Sequence, residues 1–159
     1  MRATRKNHGG WSFGGLQSFL KPGDIIVLTD VIRDEGTSYH YFPPHVKVES
    51  SEKLRKLLIE HLHRLSIGYH MGAVWTTDGV YRETLEKFRK FRDAEVLAVN
   101  METSAVFAVA KYRNVEAASI QVISDVLSEK GWLQAFEQQA VRENSKRAVE
   151  IALRTLTES

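Results

Sequence analysis

Residues Leu97 to Ala110 read LAVNMETSAVFAVA. Three apolar residues, three polar or sulfur-bearing ones, and then an apolar run make a strand that turns directly into a helix. Glu95 to Val99 is short and apolar, the pattern of a buried strand. Met101 to Tyr112 is apolar almost all round, which predicts a buried helix. The same alternation repeats outward in both directions, and it decides the fold.

Upstream, Lys21-Pro22-Gly23-Asp24 is a turn followed by the β-branched run Ile25 to Ile32, a buried strand. Arg33 to Pro44 is polar and aromatic, a loop long enough to suspect function. Ser50 or Ser51 can cap a helix whose stripe is Leu54, Leu57, Leu58, Leu62 and Leu65. Tyr69 to Trp75 reads as a second buried strand, Thr76 to Gly79 as a turn, and Arg82 to Arg92 as an amphipathic helix. Downstream, Val115 to Ser124 reads as another strand and Gly131 as a break. A last helix runs from about Leu133 to Leu156, with Phe136, Ala140, Val141, Val149, Ala152, Leu153 and Leu156 on its apolar face. Strand and helix alternate four times. The expected fold is therefore α/β, a three-layer α/β/α arrangement around a mixed, mostly parallel central sheet.

Composition narrows the function. The chain has 159 residues, a one-domain length, and 43% of them are hydrophobic, enough for a sizeable core. Basic and acidic side chains number 22 and 20 and are interleaved, so no concentrated basic face for nucleic acid is expected. No stretch approaches the ~20 apolar residues of a membrane span. Cysteine is absent, which excludes disulfides, thiolate metal sites and a cysteine nucleophile. A soluble cytoplasmic protein is the default expectation. The six histidines (8, 40, 45, 61, 63 and 70) are scattered, and His61 and His63 diverge on a helix, so no metal site is expected. Phosphate-loop, dinucleotide, zinc-protease and serine-hydrolase motifs are missing.

Ligands of open α/β sheets bind beyond the carboxyl ends of strands. Three strand ends carry chemistry here: Trp75, then Asn100-Met101-Glu102, then Ser124-Asp125. Each has two readings. Glu102 can favour the helix dipole or face a ligand from a poorly solvated position that demands partners. Asp125 can cap the next segment or act in a site. Trp75 can be core or a platform for a flat ring. Taken together, the three point to a polar small-molecule site and leave the reaction open.

Four segments resemble the nucleoside phosphorylase family, which includes the purine nucleoside and uridine phosphorylases. They are GGLQSFLKPGDIIVLTDVIRDEGTSYHYFPP (14–44), GAVWTTDGVYRE (72–83), LAVNMETSAVFAVA (97–110) and QVISD (121–125), in the family's order. The resemblance spans residues 14–159; residues 1–13, a glycine-rich start, match poorly. It implies that Met101 and Glu102 contact ribose, that Trp75 and Ser124 face the base, and that Asp125 donates a proton to purine N7 as the base leaves. Ser12 is the implied phosphate-binding hydroxyl. No cofactor is implied. The implied reaction is phosphorolysis of a nucleoside to free base and ribose 1-phosphate, with inorganic phosphate as co-substrate. A homo-oligomer, dimer or hexamer, is expected. Ser124-Asp125, and the lack of the Gln-x-Arg pair of uridine-specific members, favour a purine. The WTTD and RDEGTSYHY segments, common in members called uridine phosphorylases, make that purine preference a modest one.

The sequence also departs from the family pattern. Asn100 stands where many relatives carry an acid, which is expected to alter the ribose contacts. Gly9 stands where a phosphate arginine belongs, and Trp11 and Phe13 replace small residues. The early glycine loop and at least two phosphate arginines have no counterpart, nor do the family's first strands. The expectation is thus an amino-terminally truncated member: a phosphorylase needing help with phosphate, a nucleoside- or base-binding remnant without turnover, or a mis-started fragment. A sheet cut in this way would expose an edge and self-associate.

Overall fold

The computed structural model describes residues 13–129, 131–135 and 137–158. In chain order the elements are β1 (Phe13–Gly15), β2 (Ile25–Asp34), α1 (Glu52–Arg64), β3 (His70–Thr77), α2 (Leu85–Asp93), β4 (Ala98–Asn100), α3 (Thr103–Tyr112), β5 (Ile120–Ser128), β6 (Gly131–Gln134) and α4 (Gln139–Glu158). The sheet order is β1-β4-β3-β2-β5-β6, and β1 also pairs with β5. Strands β1, β4, β3, β2 and β5 thus close on themselves, with β6 as an appendage on β5. The pairings β2–β3, β3–β4 and β1–β5 are parallel; β1–β4, β2–β5 and β5–β6 are antiparallel. The expected α/β fold with a mixed central sheet and four packed helices is present.

The apolar runs explain the layers. Ile25 and Val27 point to one face of β2, where Leu58 and Leu62 of α1 and Val141, Ala148 and Ile151 of α4 cover them. Ile26 and Leu28 point the other way, onto Val74, Leu97, Ala98 and Ile123. Ile26, Val27 and Leu28 are all wholly buried, and burying each such side chain contributes roughly 1.5–3 kcal/mol. Helix α3 lays Phe107 and Ala108 over Val48 and Val31. Ser51 caps α1 by accepting from the Leu54 N–H, as expected, and Thr84 caps α2 in the same way.

Several expectations shift. The helix predicted over Met101 to Tyr112 begins at Thr103, and it is not buried all round, because Val106 and Tyr112 are exposed. The strand predicted over Val115 to Ser124 is displaced to Ile120–Ser128. Asn114, at φ 56°, turns the chain after α3. β5 then runs on past Asp125 because β6 pairs with its far half. Gly131, read as a break, opens β6 of that hairpin with a positive φ of 136°. The apolar face of α4 is rotated from the predicted one. Val141, Ala148, Ile151 and Thr155 face inward, while Val149, Leu153 and Leu156 are exposed. The sequence of α4 carries two apolar stripes, and packing on β5 selects one.

A turn fixes α4 against the sheet. Gly23, at φ 96°, donates its N–H to Ile123 O (2.8 Å), and its carbonyl accepts from Asn144 Nδ2 (2.8 Å). A β-carbon there would stand 2.9 Å from Ala140 Cβ and 3.3 Å from the Ala140 carbonyl carbon. Gly23→Ala is therefore expected to destabilise the fold by about 1–3 kcal/mol. Urea unfolding should show a lower midpoint at unchanged slope.

Candidate functional site

Beyond the carboxyl ends of β3 and β4, and against the second half of β5, lies a cavity of about 260 Å³. Asp125, Leu127 and Trp132 form one wall. Val99, Asn100 and Met101 form a second, and Val80, Tyr81 and Glu83 form a third. Gly14 completes the lining because β1 is squeezed between β4 and β5, its Cα facing both Val99 and Asp125. A β-carbon on Gly14 would meet Leu127 Cδ1 at 2.3 Å and Asp125 Oδ2 at 3.4 Å. The absent side chain therefore keeps this wall open.

Asp125 is buried. Its Oδ1 accepts from Ser124 Oγ at 2.7 Å, and its Oδ2 accepts from the indole Nε1 of Trp132. Asp125 lies within β5, paired with Gln134, so the helix-capping reading is excluded. Asp125 and Met101 line one cavity, although only Met101 follows a strand end and Asp125 stands within β5. Ser124 reaches the cavity through its bond to Asp125.

Glu102 is placed otherwise. It lines a separate groove between α3 and α4, not the Asp125 cavity. It stands at the N-cap position of α3, and Oε2 accepts from the Met101 N–H at 3.1 Å. Burial raises its carboxyl above the usual range, and the Met101 N–H partly offsets this. A proton is then held more tightly in the folded than in the unfolded chain. This contribution to stability is fully present below the ordinary carboxylate range and lost as pH rises through the raised folded value. Glu102→Gln should abolish that loss and leave the protein more stable at pH 7. Urea midpoints at pH 4 and pH 7 check this; an equal change at both would refute the linkage.

Trp75 requires correction. It is wholly buried, tilted against Phe91 at 4.7 Å between ring centroids, and donates Nε1 to Asp34 Oδ2 at 2.9 Å. No face of its ring is open to a ligand. The rings that do line the cavity are Tyr81, 85% exposed at the mouth, and Trp132. Ser12 lies outside the described residues. Among the described residues no group of three or more His, Cys, Asp or Glu could hold a metal ion.

A buried polar web supports the site from behind. Thr76 Oγ1 donates to Asn100 Oδ1 (2.8 Å), and the Asn100 amide reaches Thr103 Oγ1 and Gln121 Oε1. Asn100 is thus engaged inward, where its role is to join β3, β4 and the start of α3. Ser104 Oγ of α3 donates to Glu35 Oε1 (2.6 Å), and the Ser38 N–H donates to the same carboxylate. Burial alone would raise the Glu35 carboxyl, but these bonds outweigh it and hold it below the usual range. Glu35, Tyr81 and Trp132 were not singled out from sequence. The polar loop after β2 pointed toward Glu35, whereas Trp132 sits in a segment read only as a chain break.

Comparison with known proteins identifies the family. Residues 12–157 match the family model described as the phosphorylase superfamily. The guanosine phosphorylase of Halorubrum lacusprofundi is 28% identical over 148 residues, 91% of this chain and 61% of that protein. A purine nucleoside phosphorylase DeoD-type of Brevibacillus brevis is 27% identical over 117 residues, 70% of this chain and 48% of its own length. The crystal structure of a uridine phosphorylase from Vibrio fischeri superposes with a TM-score of 0.81 at 26% identity, covering 93% of this chain and 62% of that one. The chain thus spans about half to three fifths of the length of these relatives. No helix among the described residues is long and apolar enough to cross a membrane.

Proposed function

The chain belongs to the phosphorylase superfamily, and from that premise we propose that it binds a nucleoside in the Asp125 cavity and serves phosphate-dependent cleavage of its N-glycosidic bond. A phosphate oxygen attacks C1′ of the ribose, the bond from C1′ to the base nitrogen breaks, and the base departs with the electron pair. Free base and ribose 1-phosphate result. A purine is the preferred base. Asp125, carrying a proton, donates it to N7 of the departing purine and so neutralises the developing charge. Met101 lies against the sugar and Ser124 orients Asp125, whereas Glu102, which lines the separate groove, takes no part in holding the sugar in this cavity. Tyr81 and Trp132 take the flat-ring role.

The observation that carries this reading is the buried Asp125 in a cavity walled by Met101 and two aromatic rings. In the unliganded arrangement both of its oxygens accept hydrogen bonds. A purine therefore reaches it by displacing the Trp132 indole. Base release from inosine, guanosine and uridine, with and without phosphate, is the test. Faster cleavage of uridine than of inosine would overturn the purine preference.

A second reading, nucleoside binding without turnover, is favoured by one observation. Among the described residues lining the cavity there is no lysine or arginine, and phosphate needs fixed cationic or N–H donors to react. Inosine binding by calorimetry, with no base released at high phosphate, would select it.

A further inference from the structure

Strand β6 reaches the cavity on a hairpin, and its register fixes what arrives there. Across the ladder with β5, Asp125 faces Gln134 and Leu127 faces Trp132. Alternate residues of a strand share a face. Trp132 therefore stands beside Leu127 and diagonally from Asp125, within reach of an aromatic side chain. All three line the cavity. The indole Nε1 spans that diagonal and donates to Asp125 Oδ2, while Ser124 Oγ donates to Oδ1 at 2.7 Å. The two ends of the indole bond are unequally held. Asp125 is 5% exposed, on a strand that pairs with both β1 and β6. Trp132 is 39% and Leu133 58% exposed, and β6 pairs with β5 alone among the described residues. The carboxylate is therefore fixed, and the indole is the partner that can turn.

We propose that Trp132 is an internal competitor for the base. This inference rests on the nucleoside reading of the cavity, and it concerns how the site is held before a ligand arrives. An indole N–H only donates, so it uses Oδ2 as an acceptor. Purine N7 only accepts, so it needs Oδ2 to carry a proton and donate it. The two demands exclude each other at one oxygen. A purine nucleoside gains Oδ2 only as the indole turns away from it, and the oxygen then takes its proton from solvent. Any nucleoside whose base reaches Asp125 meets the same cost. The binding-competent arrangement is a fraction of the unliganded population, and the apparent Kd rises by the reciprocal of that fraction. A hydrogen bond to a charged carboxylate is among the stronger ones, so the fraction is small. Trp132 is thus a positioning residue that acts through Asp125. It sets the ligand concentration at which the site fills, and it keeps a buried carboxylate partnered when no ligand is bound.

The test titrates inosine into the isotope-labelled whole chain and follows the Trp132 indole N–H by nuclear magnetic resonance. The chain has three tryptophans; the Trp132 resonance is the one absent from Trp132→Phe and displaced in Asp125→Asn. Calorimetry then compares inosine affinity between the unaltered chain and Trp132→Phe, which keeps a flat ring and loses the N–H. The expected indole proton exchanges slowly with solvent before inosine is added and shifts as inosine binds. Trp132→Phe should bind inosine on the order of tenfold more tightly. Loss of a merely structural contact does not tighten binding. Inosine bound equally well or more weakly by Trp132→Phe would overturn the proposal, as would an indole resonance that bound inosine leaves in place. The titration uses the unaltered chain, so it decides the matter even where the variant fails to fold. Binding of neither inosine, guanosine nor uridine by either chain would remove the nucleoside reading itself, and the competitor with it.

Discussion

Alanine at Asp125 is expected to lower phosphorolysis of inosine and guanosine by ~10²–10⁴-fold, the range for losing a positioned general acid. Nucleoside affinity should change far less, because proton transfer belongs to the transition state and Met101 and the rings remain. Uridine has no N7, so its cleavage should fall by a much smaller factor. Asp125 is buried and holds Ser124 and Trp132, so Asp125→Asn serves as the companion variant. It keeps the shape and loses the acid. Steady-state rates on three nucleosides, with circular dichroism to confirm folding, decide the matter. Equal losses on uridine and inosine would show that Asp125 acts through structure and not at N7.

The second large effect concerns stability. Trp75→Ala should cost ~3–5 kcal/mol, the range for truncating a buried large aromatic side chain. At ~2–4 °C per kcal/mol for a chain of this size, Tm should fall by about 6–20 °C. The physical basis is the wholly buried indole, its contact with Phe91 and its bond to Asp34. Trp75→Phe keeps most of the packing and leaves Asp34 its Lys87 partner at 2.6 Å. Its Tm should fall less, and its affinity for inosine should equal that of the unaltered chain. A Trp75→Phe protein that melts normally but no longer binds inosine would restore the platform role.

These two residues show how unevenly the site was legible. Met101 follows the end of β4, and its place needed only the α/β order and the rule that ligands gather at carboxyl ends of strands, whereas Asp125 lies inside β5, which runs on to Ser128. Trp75 obeys the same rule and fails. β3 is flanked by β2 and β4, and Phe88 and Phe91 of α2 close over its end. Whether a strand-end aromatic faces a crevice or a helix depends on the register of neighbouring strands, which one strand's periodicity does not contain. Glu102 was identified as a poorly solvated carboxylate, and burial does raise its carboxyl. Which cavity it enters depends on how α3 leaves β4.

The sequence by itself determined the local elements: β-branched runs that cannot be left in water, helical stripes, the cap offered by Ser50 or Ser51, and the motif order that carries the family. Those follow from short-range chemistry. Only the tertiary structure decided that Phe13–Gly15 closes five strands into a ring and opens the wall beside Asp125. It alone decided that Trp132 returns on a hairpin to hold that carboxylate, and that α4 turns Ile151 inward and leaves Val149 and Leu153 outside. Each of these joins residues far apart in the chain or chooses between two equally apolar faces. The choice is made by the whole packed sheet and not by any segment read alone.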